Sequence, residues 1–284
     1  MTGASAQTIL ITGCSSGIGL CLAESLHELG HRVFATARKP EDVARLAAQG
    51  IESLQLDLDD SVSIRCAVDE ILRRTHGRLD ALINNGAYGQ SGAVEDLRRE
   101  VLRAQFETNL FGWLELTNLL LPVMRQQGHG RIINIGSLLG FVALPYRGAY
   151  NASKYALEGL TDTLRLELAD TAIHISLVEP GPISSRFRAN AFASYQRNID
   201  AEHSAHRERY AALERRLTQA GPVVPFTLPP EAVLRKVLHA LTSRRPRLRY
   251  YVTFPSYLFA VLRRLLSARM LDRILLRVAG GEQR

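Results

Sequence analysis

The chain has 284 residues, of which 46% are hydrophobic and 22% charged, and this composition predicts one large globular domain or two small ones. No apolar run reaches the about eighteen residues that an ordinary membrane-spanning helix requires. The net charge of +7 is concentrated in residues 243–284, where ten arginines accompany Asp272 and Glu282. The rest of the chain is close to neutral, which argues against a main domain that binds nucleic acid.

The first residues, MTGASAQTILITG, contain neither the basic segment nor the long apolar segment of a secretory signal. The three cysteines, Cys14, Cys21 and Cys66, lack the spacing of metal ligands and are odd in number, so we expect them to be reduced. These features predict a cytoplasmic protein and give no indication of a bound metal.

Short apolar segments alternate with segments of helical period along the first two thirds of the chain. The predicted strands are 8–12, 32–37, 52–57, 81–85, 131–137 and 174–180, and the predicted helices between them are 17–29, 41–49, 61–75, 98–127 and 148–169. This alternation predicts an α/β fold, a doubly wound parallel sheet of the Rossmann type with helices on both faces. We expect one domain over residues 1–252 and a helical extension over 253–284.

The stretch HELGH contains His27, Glu28 and His31, which fit the H-E-x-x-H pattern of zinc enzymes. That motif requires both histidines on one face of a helix. Here the helical period ends at Leu29, and Gly30 is suited to terminate the helix before the next strand begins. The pattern therefore predicts a helix end rather than a zinc site.

The first turn from strand to helix reads TGCSSGIG and contains Gly13, Gly17 and Gly19. Glycines at these positions let the backbone turn tightly and approach a pyrophosphate, at which the next helix directs its free N–H groups. The spacing is G-x-x-x-G-x-G, and no Lys-Ser/Thr pair follows, so the turn is not a P-loop. The alternative is an ordinary glycine-rich turn with no bound pyrophosphate, which in any α/β protein would look similar.

The end of the second strand discriminates between cofactors. An acidic residue there would bind the ribose 2′-hydroxyl of NAD, but the sequence TARKP has Ala37 at that position, followed by Arg38. A planar guanidinium suits a 2′-phosphate. The sequence therefore favours NADP (NADPH), with a solvated loop charge as the alternative for Arg38.

The segment GAYNASKYALEGL contains Tyr150 and Lys154, which are four residues apart in a predicted helix and therefore share one face. A neighbouring ammonium favours the phenolate of a tyrosine, and lowering the ordinary pKa of about 10 by roughly three units takes about 4 kcal/mol. Ser137 ends the fifth predicted strand, at the carboxyl edge where such sheets bind ligands, and its hydroxyl suits a carbonyl oxygen. The alternative is that Tyr150 is an ordinary packed side chain and Lys154 an ordinary surface side chain.

Together these stretches resemble the short-chain dehydrogenase/reductase family over residues 8–186. The turn TGCSSGIG, the segment ETNLFG and the stretch YNASKYALEGLTDTLRLEL occur in the family's order. Within the family, LITGCSSGIG, VFATAR and YNASKYALEGLTDTLRLEL are most similar to hydroxysteroid and retinol dehydrogenases. Two departures are visible. NNGAYG has Gly86 before Ala87 where the family has N-N-A-G, and PGPISS has Ser185 in place of a threonine but keeps its hydroxyl.

The resemblance implies two sets of site residues. The catalytic set is Asn109, Ser137, Tyr150 and Lys154. The residues implied to bind the cofactor are Gly13, Ser15, Ser16, Gly17, Ile18, Gly19, Arg38, Asp57, Asn85, Gly86, Tyr150, Lys154, Pro180, Gly181, Ile183 and Ser185. In this set Asp57 is the acid that meets the adenine, and Ser185 contacts the carboxamide.

By the same resemblance, NADPH delivers a hydride to a carbonyl carbon while Tyr150 protonates the oxygen that Ser137 positions. Lys154 lowers the pKa of Tyr150 and binds the nicotinamide ribose, and Asn109 anchors a water chain. The implied substrate is a bulky apolar alcohol, ketone or aldehyde of steroid or retinoid type, and the implied assembly is a homodimer or homotetramer. A non-catalytic NADP-binding sensor or scaffold and an epimerase or dehydratase are the alternatives.

Residues 186–228 correspond to the segment in which the family varies its substrate lid, and their pattern predicts one or two amphipathic helices followed by a loop. Their apolar side chains face either the substrate or the core: Phe187, Phe192, Tyr195, Tyr210 and Leu213.

A last strand is predicted at 249–252, and apolar residues then recur at helical spacing over 254–281 with arginines between them. One interpretation is a pair of helices that packs on the main domain or across a dimer interface. The other is a peripheral surface that lies on an anionic membrane, with its arginines at the lipid phosphates.

Overall fold

The computed structural model describes residues 6–221 and 223–282. Its strands are β1 (Thr8–Ile11), β2 (Arg32–Ala37), β3 (Glu52–Gln55), β4 (Ala81–Asn84), β5 (Gly130–Ile135), β6 (Ile173–Glu179) and β7 (Arg249–Tyr251). Within these residues the strands form one seven-stranded parallel sheet in the order β3-β2-β1-β4-β5-β6-β7. The predicted doubly wound α/β fold is confirmed.

Helices cover both faces of this sheet. They are α1 (Gly17–Glu28), α2 (Pro40–Ala47), α3 (Ser61–Arg74), α4 (Arg99–Phe106), α5 (Gly112–Gln127), α6 (Gly148–Glu167), α7 (Phe187–Asn198), α8 (Arg207–Thr218), α9 (Glu231–Thr242), α10 (Phe254–Leu265) and α11 (Ala268–Glu282). The order of the strands reverses direction between β1 and β4, and in such sheets ligands bind at the carboxyl edge beside that point.

The alternation of side chains along the strands divides the core into two layers. Ile9 and Ile11 of β1 pack with α1 and α9 on one face, whereas Leu10 packs with α3 and α5 on the other. Both layers are fully buried, which explains why β1 is apolar at successive positions rather than at every second one.

Three details differ from the sequence-based expectations. The predicted helix 98–127 is interrupted by a π-helical turn at Glu107–Phe111. The fifth strand ends at Ile135, where its pairing with β6 ends, so Ser137 lies beyond the strand and precedes a 3-10 turn at Leu138–Gly140. Helix α9 was not predicted, although Pro229 and Pro230 precede an amphipathic segment there.

The zinc-like stretch ends a helix, as expected. Helix α1 stops at Glu28, Gly30 has a φ of 85°, and Nδ1 of His31 accepts a hydrogen bond from the backbone N–H of Gln7. Among residues 6–221 and 223–282, no group of three metal-binding side chains is found, and no helix is both long and apolar enough to cross a membrane.

Candidate active site

The turn after β1 exposes the N-terminus of α1. Gly13 and Gly17 have φ angles of 69° and 58°, which a side chain would strain. Ser16 precedes the helix in an extended conformation without a capping hydrogen bond from its side chain, and the first turn contains no acidic residue. The first N–H groups of α1 are therefore suited to an anion such as a pyrophosphate.

Close backbone packing at this turn joins it to two other segments. A Cβ added to Gly13 would lie 2.6 Å from Cα of Gly86, and one added to Gly17 would lie 2.8 Å from Cβ of Ser185. Only glycine fits such approaches without displacing the neighbouring chain. The turn, the segment after β4 and the segment after β6 therefore meet at the carboxyl edge of the sheet.

The segment after β4 is held mainly through its backbone. Oγ1 of Thr12 accepts hydrogen bonds from the N–H groups of Asn85 and Gly86, both at 2.9 Å. Nδ2 of Asn85 donates to the carbonyl oxygens of Thr12 and Gly13 at 3.0 and 3.2 Å. Because these bonds to residues 85 and 86 use main-chain groups or the Asn85 side chain, the exchange of Gly86 and Ala87 leaves them intact.

The edge of the site beyond β2 has the positive charge expected where a phosphate group binds. Ala37 ends β2 and is buried, whereas Arg38 follows it and is exposed. Asp57 follows β3 and its Oδ1 accepts a hydrogen bond from the N–H of Asp59. Burial raises the pKa of Asp59, an effect that Arg38 opposes.

Ser137, Tyr150 and Lys154 converge beyond the end of β5. Oγ of Ser137 accepts the N–H of Leu139 at 3.1 Å, and Ser137 lies near enough to Tyr150 to lower the pKa of its hydroxyl. One helical turn along α6, Nζ of Lys154 lies 5.8 Å from the centre of the Tyr150 ring. The same Nζ donates to the carbonyl oxygen of Ile135 at 2.8 Å.

Burial dominates the pKa values of this pair. It raises the pKa of Tyr150 to about 12, against a lowering by the hydrogen bond to Ser137. It lowers the pKa of Lys154 to about 7, against a raising by the Glu158 carboxylate. The pKa of Tyr150 is therefore raised rather than lowered as expected, because burial disfavours the phenolate more than Ser137 favours it.

Asn109 is buried within the π-helical turn. Its Oδ1 accepts the N–H of Tyr88, and its Nδ2 donates to the carbonyl oxygen of Tyr88 at 3.0 Å and to Oγ of Ser153 at 3.1 Å. A π-helical turn adds a residue to the helix and turns a side chain to a new direction, and it is frequent at functional sites. Here it directs Asn109 toward α6, which also carries Tyr150.

The segment after β6 forms the remaining wall. The carbonyl oxygen of Pro180 accepts the N–H of Leu138 at 2.8 Å, which ties it to the turn after Ser137. A Cβ on Gly181 would lie 2.1 Å from Oγ1 of Thr253, so this backbone packs against the start of α10. Ile183 forms a β-bridge with Leu228. This bridge closes the base of residues 186–228, which we call the variable segment.

The variable segment folds as two helices, α7 and α8, and separates the side chains left open by the sequence. Tyr195, Tyr210 and Leu213 are buried together in a small core of their own. Phe192 packs against that core, with its ring stacked on that of Tyr195. Phe187 instead packs edge-on against the ring of Tyr150, with the centroids 5.2 Å apart.

Two further features of the site were not predicted from the sequence. The indole ring of Trp113 lies under the ammonium of Lys154, and its Nε1 donates to the carbonyl oxygen of Gly86 at 2.7 Å. Trp113 follows Asn109 by four residues, a spacing that indicates a shared helix face and that was visible in the sequence. Behind Lys154, Arg249 contacts the carboxylates of Glu158 and Glu179.

A parallel sheet with a glycine turn at its switch point and a Ser-Tyr-Lys group beyond β5 defines a dehydrogenase of the nucleotide-binding class. Residues 7–196 match the short chain dehydrogenase family, and the chain belongs to that family.

Three curated relatives are similar to it. The uncharacterized oxidoreductase YbbO of Escherichia coli (strain K12) is 41% identical over 95% of this chain and 94% of its own length. A 3-ketodihydrosphingosine reductase of Bacteroides thetaiotaomicron is 41% identical over 72% of both chains. The 17-beta-hydroxysteroid dehydrogenase type 1 of Homo sapiens is 35% identical over 86% of this chain and 77% of its own length.

A solved structure of a short-chain dehydrogenase from Streptomyces avermitilis superposes with a TM-score of 0.77 at 30% identity. The superposition covers 95% of this chain and 98% of that one, so the similarity extends well beyond the matched family region into the C-terminal part.

Proposed function

We propose that this oxidoreductase uses NADPH to reduce the carbonyl group of a bulky apolar ketone or aldehyde, and that it oxidises the corresponding alcohol in reverse. The observation that carries the proposal is the convergence of Ser137 and Tyr150 beyond the end of β5, with Lys154 one helical turn from Tyr150 on α6. A binding protein without catalysis has no need for two half-buried hydroxyl groups that converge beside a buried lysine.

NADPH, when bound, supplies the hydride that adds to the carbonyl carbon. The residues of this chain perform the remaining steps. Ser137 donates a hydrogen bond to the carbonyl oxygen, and Tyr150 transfers its hydroxyl proton to that oxygen as the carbon is reduced. With a pKa of about 12, Tyr150 carries this proton at neutral pH, which is the form that reduction requires.

Lys154 and Asn109 support that proton transfer in the proposed mechanism. The Lys154 ammonium stabilises the negative charge that develops on Tyr150 when its proton leaves. Asn109 lies buried between Tyr88 and Ser153, and in this mechanism it anchors the chain of water molecules that returns a proton to Tyr150. This role places Asn109 outside direct contact with the substrate.

The residues present fit the cofactor. The uncapped N-terminus of α1, with Ser15, Ser16 and Ile18 beside the three glycines, suits a pyrophosphate, and the exposed Arg38 after Ala37 suits a 2′-phosphate. The exposed hydroxyl of Ser185 is within reach of the turn that contains Gly17 and suits a carboxamide. Asp57 takes the adenine end in this arrangement.

The apolar substrate class has two supports. The Phe187 ring packs against Tyr150, so an apolar surface lines the side of the site that faces the variable segment. The names of two relatives refer to a 3-ketodihydrosphingosine and to a 17-beta-hydroxysteroid, which are both bulky apolar molecules.

Loss of NADPH absorbance during turnover tests the proposal directly. The panel contains a long-chain 3-keto amine, a 17-ketosteroid, retinal and, as the matched control, small water-soluble aldehydes. We expect kcat/KM at least tenfold higher for the apolar compounds than for the small ones. Tight binding of NADPH without turnover of any compound would instead favour the sensor or scaffold.

We further infer a homo-oligomer. Phe111 and Leu160 are large apolar side chains exposed near the two helices that carry the site, α5 and α6. Light scattering on the purified protein measures the mass directly, and a monomer at micromolar concentration would contradict this inference.

A further inference from the structure

The outward face of α10 is apolar. Phe254, Tyr257, Leu258, Val261 and Leu265 lie within one narrow band of the helix, and each is between 39% and 75% exposed. We name these residues the apolar stripe. The opposite side of the helix, with Phe259 and Ala260, is buried. A helix packed on a domain ordinarily presents polar residues outward, so this stripe indicates a further contact.

Phe226, near the end of the variable segment, extends the apolar stripe. Phe226 is 56% exposed and has a φ of 62°, which is an uncommon conformation for a bulky side chain. Its ring centre lies 4.9 Å from that of Phe254. The end of the variable segment and the start of α10 therefore present two adjacent exposed phenylalanines, an arrangement suited to insertion between lipid headgroups.

Positive charge lies on the following helix and at one edge of the apolar stripe. Arg269, Arg273 and Arg277 follow one another at intervals of one helical turn on α11, are exposed, and are named here the arginine row. Nζ of Lys236 donates to Oη of Tyr257 at 3.2 Å, which places a cation at the edge of the apolar stripe itself. Between residues 254 and 282 the only acidic residues are Asp272 and Glu282.

Both helices bury their inner sides in one cluster. Phe259 of α10 and Leu275 of α11 pack there with Leu138 and Phe141, which lie one and four residues after Ser137. The outward faces therefore point away from this shared cluster, and the cluster adjoins the candidate active site. This settles that the extension packs on the main domain with one side while its other side remains exposed.

We propose that the apolar stripe and the arginine row bind the surface of an anionic lipid bilayer. Apolar side chains enter the headgroup boundary and arginines contact lipid phosphates, as in amphipathic helices that lie on membranes. A second copy of the chain is a poorer occupant. In a two-fold interface the same patch meets itself, and this patch offers few acidic residues to the arginine row, since residues 254–282 contain only Asp272 and Glu282. The inference concerns lipid binding and stands whether or not the proposed reaction is correct.

Vesicle flotation of the full chain is the first test. Vesicles of phosphatidylcholine with about one third phosphatidylglycerol are compared with phosphatidylcholine alone, at low salt and at high salt. We expect binding only to the anionic vesicles and a loss of at least tenfold in high salt, where charges are screened. Failure of the wild-type chain to float with anionic vesicles at low salt would overturn the proposal.

Matched variants separate the two parts of the surface. Val261→Ser/Leu265→Ser removes apolar contact, and Arg269→Gln/Arg273→Gln/Arg277→Gln removes charge; we expect each to reduce vesicle binding at least tenfold. Arg98→Gln/Arg99→Gln/Arg103→Gln removes the same charge from exposed positions at α4 and should stay within twofold of wild type. An equal loss in this control would show that net charge alone drives binding, which contradicts the proposal.

Fluorescence gives a second measurement that needs only one conservative change. The only tryptophan of the chain, Trp113, is 1% exposed and reports little of the surface. Phe254→Trp adds a reporter on the apolar stripe, which should shift to the blue and be quenched by brominated lipids in anionic vesicles. An unquenched reporter would overturn the proposal. Light scattering on Val261→Ser/Leu265→Ser gives a further check. A mass half that of wild type, with vesicle binding unchanged, would also overturn the proposal, because it would assign the apolar stripe to contact with a second copy of the chain.

Discussion

The ammonium of Lys154 lies 4.5 Å from the centre of the Trp113 ring. A cation over the face of an aromatic ring is stabilised, and the hydrogen bond to the carbonyl oxygen of Ile135 acts in the same direction. Both contacts favour the charged form of a side chain whose pKa burial lowers to about 7. Trp113 is therefore a positioning residue for Lys154, although it does not touch the reacting atoms.

The variant Trp113→Leu tests this relationship. Loss of the ring removes about 0.5–2 kcal/mol of stabilisation from the ammonium, which lowers its pKa by about 0.4–1.5 units. We expect the alkaline limb of the pH profile of kcat/KM to move toward acid by that amount. Trp113→Phe is the matched control, because it also loses the bond from Nε1 to Gly86 but keeps a ring face. Equal movement of the limb in both variants would refute the role of the ring.

The sequence predicted the parts of the site that depend on neighbouring residues. The strand, turn and helix from Thr8 to Glu28 were predicted because apolar alternation, helical period and glycine spacing are all local signals. The positions of Tyr150 and Lys154 on one face of α6 follow from a spacing of four. These features require no knowledge of the rest of the chain.

Contacts between distant segments account for what was missed. The π-helical turn at Asn109 is tied to Tyr88 and Ser153, which come from other elements. The rise in the Tyr150 pKa depends on burial, which the packing of Phe187 from the variable segment contributes to. Neither effect has a signature within a short window of sequence.

Removal of the Tyr150 hydroxyl by Tyr150→Phe should lower kcat by roughly a thousandfold, because the proposed proton donor is lost. The affinity for NADPH should stay within about threefold, since the turn that contains Gly13 and the N-terminus of α1 are unchanged. Stopped-flow turnover and a fluorescence titration of NADPH measure the two quantities. A variant that retains more than about a tenth of wild-type turnover would show that another group donates the proton.

The cofactor preference should depend on Ala37 and Arg38. Ala37→Asp with Arg38→Ala supplies an acceptor for a ribose 2′-hydroxyl and removes the partner of a 2′-phosphate. Loss of that charge-assisted contact costs about 1.5–3 kcal/mol, or roughly ten- to a hundredfold in the dissociation constant of NADPH. The ratio of kcat/KM for NADPH and NADH checks this. A wild-type protein that already prefers NADH would refute the assignment.

The buried carboxylates behind Lys154 predict a dependence of stability on pH. Burial, together with the neighbouring Glu158, raises the pKa of Glu179 to about 8, although Arg249 opposes the shift. In the unfolded chain a glutamate titrates near pH 4.3, so between about pH 4.5 and 8 the folded state holds a proton that the unfolded state has lost. The stability that this proton contributes is complete below the unfolded pKa and is lost as the pH rises through 8.

Glu179→Gln keeps the shape of the side chain but cannot ionise. Between pH 5 and 8 the wild-type chain should therefore lose stability relative to this variant, and the Tm of the variant minus that of wild type should rise by a few degrees. The shift of Lys154 is present in both proteins and cancels in this difference. Asp162→Asn, at another partner of Arg249, should give a flat difference over the same range, because the pKa of Asp162 is lowered below its ordinary value. Calorimetry at four pH values measures both, and a flat difference for Glu179→Gln would show that Glu179 is ionised in the folded protein throughout.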